Sequence, residues 1–208
     1  TDGTLWAWGY AGWGSLGLSS SNVHRSSPAQ VGTATNWTHV GRNYGSANAA
    51  INTDGELWVV GANQYGGLGQ GNTTASTVLV KIPGTTWKCQ TGVDDGMLAI
   101  KTNGELWSWG RNSNGELGQN NKTQYNNPLQ VGTDTTWDRI ISGYSSVVAT
   151  KTNGEMWTWG GDNAYGQLGQ NNRTQYSSPI QMGTDTDWIS TVASMSGMMQ
   201  TSYGLKEL

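Results

Sequence analysis

The 208-residue sequence predicts an all-β chain, a β-propeller or part of one, built from about four repeats of ~50 residues. Three observations carry that expectation: a ten-residue string written four times, a period shared by independent markers, and no stretch with helical periodicity over three turns. The string reads KTNGELWSWG at 101–110 and KTNGEMWTWG at 151–160, with weaker copies NTDGELWVVG at 52–61 and TDGTLWAWG at 1–9. Its glycine falls at Gly3, Gly55, Gly104 and Gly154, at intervals of 52, 49 and 50 residues. Trp37, Trp87, Trp137 and Trp188 keep intervals of 50, 50 and 51. The pairs Leu16–Gly17, Leu68–Gly69, Leu117–Gly118 and Leu168–Gly169 keep the same beat. One domain over 1–208 follows, with units starting near 3, 55, 104 and 154 and a degenerate terminal copy near 201–208.

The elements of one repeat follow in order. WDRIISG and SVVATK (137–143 and 146–151) are short runs carrying β-branched residues, broken at Gly143 and Tyr144. TNG at 152–154 supplies a hairpin turn, since Asn and Gly both tolerate positive φ. EMWTWG is the return strand, closed by Gly160–Gly161. The turn-rich NAYGQLGQNN comes next, and SPIQMG adds a further extended piece ended by Gly183. Three or four short strands per repeat, joined by tight turns, result.

Trp157 and Trp159 are two residues apart and so share one face of their strand, as do Trp107 with Trp109 and Trp6 with Trp8. The second copy keeps Trp58 but offers Val60. Ala7, Val59, Ser108 and Thr158 point the other way. Large rings on one face of repeated sheets are expected to bury against the neighbouring copy, which gives a radial stack with Trp6, Trp8, Trp58, Trp107, Trp109, Trp157 and Trp159 as inter-blade core.

Charged residues make up only 12% of the chain and the net charge is −3, so free nucleic acid is not an expected partner. No apolar run approaches the ~18 residues that span a bilayer, so membrane insertion is not expected either. Cys89 stands alone and forms no internal disulfide. His24 and His39 have no third ligand or partnered serine at a recognisable spacing. The Asp94–Asp95 and Asp185/Asp187 pairs sit in turn contexts, and DNAYG at 162–166 lacks the later oxygen ligands of a calcium loop. No catalytic residue, metal site or cofactor is expected.

The string TNGELWSWGRNSNGELGQNN…NNPLQVG…W resembles the repeat of the regulator-of-chromosome-condensation family over essentially the whole chain. The resemblance is fullest at WGRNSNGELG (109–118) and WGGDNAYGQLG (159–169), and looser at WGYAGWGSLG and VGANQYGGLG. Pro28, Pro128 and Pro179 each stand nine residues before the repeat's single Trp, with Val78 in that place in the second copy. The resemblance implies blades shaped for a ring of about seven. Four repeats then form an arc or an excerpt of a larger ring, in preference to a ring closed by pairing the termini. At the end GLKEL replaces the GELWSW pattern, which reads as a cap on the array.

The family also implies functions: nucleotide exchange on a small GTPase with nucleosome binding, or inhibition of β-lactamases by a loop-rich rim. The texture of these repeats is most similar to secreted bacterial and tailed-phage virion proteins. The leading expectation is therefore a non-enzymatic structural or adhesive module of a virion (tail, fibre or capsid-associated), located on a virion or extracellularly. Its expected partners are virion components or a host surface, with homo-oligomer formation open. The alternatives are a carbohydrate-binding propeller and an inhibitor or regulator that grips an enzyme through its loops. Candidate binding residues are the loop aromatics and amides after each WG: Tyr10, Trp13, Asn63, Tyr65, Asn112, Asn114, Asn163 and Tyr165. A ring for stacking beside an amide is what saccharide recognition asks for, while turn chemistry alone also selects Asn and Gly. The sequons at Asn36, Asn72, Asn121 and Asn172 reflect a repeated turn and become sugar sites only on a eukaryotic secretory route.

Overall fold

A computed structural model of the chain describes residues 2–20, 22–41, 47–192, 195–196, 199–200 and 203–206. Strands β1 (Trp6–Gly9) and β2 (Arg25–Gln30) form an antiparallel pair, with a short 3-10 turn at Gly12–Gly14 between them. Three four-stranded antiparallel blades follow in chain order. The first contains β3 (Trp37–Val40), β4 (Ala47–Asn52), β5 (Leu57–Gly61) and β6 (Ser76–Lys81). The second contains β7 (Trp87–Val93), β8 (Gly96–Lys101), β9 (Leu106–Gly110) and β10 (Tyr125–Gln130). The third contains β11 (Trp137–Ser142), β12 (Ser146–Lys151), β13 (Met156–Gly160) and β14 (Tyr176–Gln181). Beyond them β15 (Trp188–Val192) pairs with β18 (Tyr203–Lys206), and β16 (Met195–Ser196) with β17 (Met199–Gln200). The architecture is a partial β-propeller.

Each blade starts at the repeat's single Trp, so blade and sequence repeat are out of phase: the hairpin string lies mid-blade. The turn glycine has a second task besides the hairpin. The carbonyls of Gly3, Gly55, Gly104 and Gly154 accept the N–H of Trp37, Trp87, Trp137 and Trp188, the first residue of the blade or strand that follows. These glycines have φ between 69° and 81°, and a Cβ at any of them would collide with backbone just before that Trp. Left-handed backbone and close approach together exclude every other residue.

The rest of the string serves the outer half of the hairpin. Glu105 Oε2 accepts the indole N–H of Trp107 at 3.1 Å, and Lys101 Nζ lies 4.1 Å from the centre of that ring and 3.2 Å from Glu105 Oε2. Glu155, Trp157 and Lys151 repeat this, with Lys151 4.0 Å over the ring and also paired to Asp134. Such a cation over an indole is worth about 0.5–2 kcal/mol. Where the second copy has Asn52 in place of Lys, its amide bonds Glu56, and Lys81 from β6 supplies the charge. In the first copy Thr4 replaces Glu and its hydroxyl accepts the Trp6 N–H.

The two faces of each blade part cleanly. In the second blade Met97, Ala99, Trp107 and Trp109 look towards the first blade, and Leu98, Ile100, Leu106 and Ser108 towards the third. Trp109 is fully buried among Leu57, Val59, Leu68 and Ile82 of the first blade, and its N–H donates to Gly67 O at 2.9 Å. Trp159 lies likewise among Leu106, Leu117 and Val131 of the second blade and donates to Glu116 O at 3.0 Å. Trp58, Trp107 and Trp157 are half-buried, edge-on to Trp37, Trp87 and Trp137 of their own blades. Nearer the axis, Thr91 and Ser142 share a hydroxyl contact and Gln90 bonds Ala49 O across neighbouring blades. Cys89 lies on β7, and burial pushes its thiol up to about 11, so it stays protonated at neutral pH.

One expectation of the fold is corrected. Trp6 and Trp8 are not inter-blade core: they are 48% and 61% exposed. Their face is the one that Trp107 and Trp109 turn to a preceding blade, and among the described residues no sheet stands on that side of β1. The arc expected in preference to a ring closed by the termini is what the described residues form, with β1 paired to β2 and β15 to β18 in separate sheets. Residues 203–206 of the degenerate terminal copy form β18, while 201–202 and 207–208, with the capping role assigned there, lie outside the described residues.

Replacing Trp159 by Ala should cost about 3–5 kcal/mol, read as a lowered urea midpoint, because it empties a closed interface and orphans a carbonyl. Asp134 gives a pH signature. Burial would raise its carboxyl, but hydrogen bonds from Lys151 and Thr136 outweigh that and hold it at about 2 against 3.8. A carboxyl lowered on folding stabilises the fold above the unfolded value and loses that contribution as pH falls through the folded one. Asp134→Asn should therefore lower the melting temperature at pH 6, and the gap to the parent should close between about pH 4 and pH 2.

Candidate interaction rim

The segment after the third strand of each blade, with its counterpart after β1, turns back at one edge of the arc: residues 9–17, 61–69, 110–118 and 160–169. Each full copy is shaped by one buried asparagine. Asn112 Nδ2 donates to the carbonyls of Asn121 and Thr123 at 3.0 Å each, and its Oδ1 accepts the Leu117 N–H at 3.0 Å. Asn63 does the same with Asn72, Thr74 and Leu68, and Asn163 with Asn172, Thr174 and Leu168. All three are at most 2% exposed. The expectation that these amides face a ligand is corrected: their donors and acceptors are spent on the loop's own backbone, which a buried polar group requires. In the first copy Ala11 takes this place, and His24 Nδ1 accepts the Ala11 N–H instead, with Tyr10 stacked 5.0 Å over the imidazole.

Two residues beyond the asparagine comes the position that turns outward. It holds Trp13, Tyr65, Asn114 and Tyr165 in the successive copies. Trp13 is 59% and Tyr165 77% exposed, and Tyr10 adds a further open ring at 67%. The glycine that follows always has positive φ, and in three copies it abuts the outer strand of the next repeat at Thr77, Asn126 and Ser177. The loops are thereby keyed to the neighbouring blade, and Ser19, Gly71 and Asn120 donate to the carbonyls of those same three residues. Trp13 and Tyr65 ride on that fixed support.

Sequence reasoning missed the charged centre of this rim. Asp94 sits in the β7–β8 turn with φ 48° and is 4% exposed. Arg111 Nη1 lies 2.9 Å from Asp94 Oδ2 and 3.9 Å from Asp95 Oδ2, the first a contact of charge rather than a directed hydrogen bond. The same guanidinium covers the Tyr65 ring at 4.9 Å, which leaves Tyr65 half-buried. Burial raises the Asp94 carboxyl, with Arg111 opposing, and the Asp94 charge followed by burial raises the Tyr144 phenol hydrogen-bonded to it. Glu116 is fully buried below, accepts the Asn114 N–H at 2.7 Å, and has its carboxyl raised by burial. The signal available in the sequence was the Asp94–Asp95 pair, but its partner Arg111 comes from another hairpin.

This arrangement offers little to a reaction. The notch between Tyr65, Asp95 and Met97 holds about 10 Å³, room for a single water. Among the described residues no group of three His, Cys, Asp or Glu side chains could hold a metal, and no helix is long and apolar enough to cross a membrane. His24 is occupied by the first loop, and His39 on β3 is half-buried with its imidazole lowered by burial. Asn72, Asn121 and Asn172 cap the same loops through Oδ1 to Thr74, Thr123 and Thr174. An open groove of about 400 Å³ runs beside Trp157 and Pro179, but Lys151 already covers the Trp157 ring.

The sequence pattern of the Regulator of chromosome condensation (RCC1) repeat matches residues 103–150 and 153–196. No curated protein matches the chain in sequence. Among solved structures it is similar to human WBSCR16, at 23% identity and a TM-score of 0.77, over 91% of this chain and 51% of that one. It is also similar to yeast RCC1 (Prp20) in its structure bound to Kap60, at 18% identity and a TM-score of 0.75, over 88% and 45%. A structure of Saccharomyces cerevisiae Prp20p aligns at 18% identity and 0.71, over 87% and 46%. The chain spans about half the length of these propellers.

Asn112→Ala should cost about 2–3 kcal/mol in chemical denaturation, because buried backbone groups lose their partner. The half-buried Asn114→Ala, whose amide makes only long contacts with the Ser113 and Ser145 hydroxyls, should cost less than about 1 kcal/mol.

Proposed function

On the footing of the two RCC1 repeats that match at residues 103–150 and 153–196, we propose that the chain is a non-enzymatic module that binds another protein through its loop rim. The observation that carries this reading is the row of outward aromatic positions, Trp13, Tyr65 and Tyr165, the first two set on loops that are keyed to the next blade. Tyr, Trp and Arg are the side chains that dominate protein interfaces, because each buries a large rigid area while keeping a polar handle. The Arg111–Asp94 pair with Tyr144 supplies that handle at the centre of the row. Rigid support lowers the entropy lost on docking. The similar yeast propeller was solved bound to Kap60, and another structure's description concerns binding to Gsp1p and histones, which supports a protein as the class of partner. For setting, the low charge and the Asn-, Thr- and Gly-rich turns favour a virion or an extracellular particle, with a virion component or host surface as partner. A glycan partner lost its main support when the three asparagine amides proved to be enclosed.

A photoreactive benzoylphenylalanine at position 165 should crosslink a discrete protein from the native source, and one at Leu129 on the outer strand β10 should not. In the chain that carries the probe at 165, Trp13→Ala should weaken the capture severalfold while leaving the denaturation midpoint within about 1 kcal/mol of the parent, the ring being open to solvent. Equal capture from positions 129 and 165 would remove the rim from the account, and saturable binding to one sugar class on a glycan array would put the lectin reading in its place.

A further inference from the structure

Two positions of the rim loop change together from copy to copy. One stands directly before the clasping asparagine and the other directly before the Leu-Gly pair. They hold Ala62 with Gly67 in the first blade, Arg111 with Glu116 in the second and Asp162 with Gln167 in the third. In the third blade the pair is closed. Gln167 Oε1 accepts the Tyr165 N–H at 2.8 Å, and its Nε2 donates to Asp162 Oδ1 at 3.0 Å. In the second blade Glu116 Oε2 accepts the Asn114 N–H in the same manner, so Oε1 holds the place of the Gln167 amide nitrogen. That oxygen is buried and has no hydrogen-bond partner. Arg111, the residue placed to meet it, has turned away.

Arg111 is engaged in front of the loop instead. Its Nη1 lies 2.9 Å from Asp94 Oδ2 and 3.9 Å from Asp95 Oδ2, and the guanidinium covers Tyr65. The hold is loose. Nε donates to Ser113 Oγ at 3.2 Å, while Asp94 Oδ2 receives no directed hydrogen bond. A guanidinium satisfies a carboxylate best through two parallel bonds, and neither aspartate receives them. Glu116 lies within reach of the charges of both Asp94 and Arg111. One guanidinium cannot serve the front carboxylates and the buried oxygen at once. A second cation at the front would act twice: it would pair Asp94 and Asp95, and it would release Arg111 to a buried carboxyl that is costly to leave unpaired.

We propose that the centre of the rim receives a basic side chain of the protein partner, an arginine by fit, in exchange for Arg111, which turns inward onto Glu116. The inference rests on the rim reading and adds the chemistry of its central contact. The incoming guanidinium takes the place of Arg111 over Tyr65, beside the Asp95 carboxylate and the half-exposed Tyr144 ring. A plane that stacks on a phenol and a forked set of donors favour arginine over lysine. An acidic side chain would meet Asp94 and Asp95 and be repelled. The enclosed Glu116 oxygen separates this arrangement from an acidic patch satisfied by solvent.

The test is an NMR titration of the native chain with N-acetylarginine methylamide, with the neutral citrulline analogue as control. It is followed at the Tyr65 and Tyr144 rings and at the Arg111 Nε–H. The arginine probe should saturate with a Kd of about 1–10 mM and move the Arg111 Nε–H, and the citrulline probe should not saturate. Asp95→Asn should weaken the arginine probe at least about threefold. Glu116→Gln copies the residue of the third blade and removes the anion to which Arg111 turns. It should weaken the probe by a similar factor and leave the Arg111 Nε–H in place. Equal response to the two probes, an Arg111 Nε–H unmoved at saturation in the parent, or undiminished affinity in a folded Asp95→Asn or Glu116→Gln chain would overturn the proposal. A titration without saturation overturns it too and leaves the capture from position 165 standing, whereas a lost capture beside a saturating titration removes the rim reading alone.

Discussion

The insertion of an indole into the preceding blade, at each of the two interfaces between full blades, is the contact on which the rest depends. Trp109 and Trp159 are fully buried and hydrogen-bonded across the boundary. A blade alone is a small sheet with two apolar faces, and such a sheet has no stable state in water unless both are covered. A copy of itself is the cover that repetition supplies. The tryptophan enters from one side, and Ser108 or Val59 on the facing side of the preceding sheet leaves room for it. That asymmetry makes the stack directional, as in other repeat arrays where each unit contacts only its neighbours.

From this contact the rim follows. The carbonyl that receives the indole N–H belongs to the loop just before the Leu-Gly pair, so burying the ring also pins that loop. The asparagine clasp then closes the loop on itself, and the following glycine presses it onto the next outer strand. What turns outward is the single position that holds Trp13, Tyr65, Asn114 or Tyr165. Framework and recognition are thus divided residue by residue within nine or ten positions. The framework positions recur because backbone geometry demands it, and the outward position varies because the fold constrains it less, with Trp13 and Tyr165 open to solvent and Tyr65 half-buried under Arg111.

Most of the fold was legible in the sequence. The TNG turn, the alternation in EMWTWG and the run SVVATK give the hairpin of the third blade at Ser146–Lys151 and Met156–Gly160. The phase between repeat and blade was not legible, because the bond from Trp137 N–H to Gly104 O joins residues 33 apart and leaves no local pattern. The exposure of Trp6 and Trp8 was also hidden, since identical strings predict identical environments and the neighbour decides. At the rim, position was readable and role was not. Asn63, Asn112 and Asn163 look like ligand amides in a turn-rich string, and only the structure shows both ends of each amide satisfied. The Arg111–Asp94 pair joins separate hairpins and announces itself nowhere along the chain.

Hydrogen exchange of the indole N–H protons, resolved by NMR on the native chain, tests the central contact most directly. The account predicts that the Trp109 and Trp159 protons exchange only through opening of the blade interface, orders of magnitude more slowly than those of Trp8 and Trp13. Comparable exchange at all four rings would mean that the blades are not held together by these indoles, and the rim would lose its support with them.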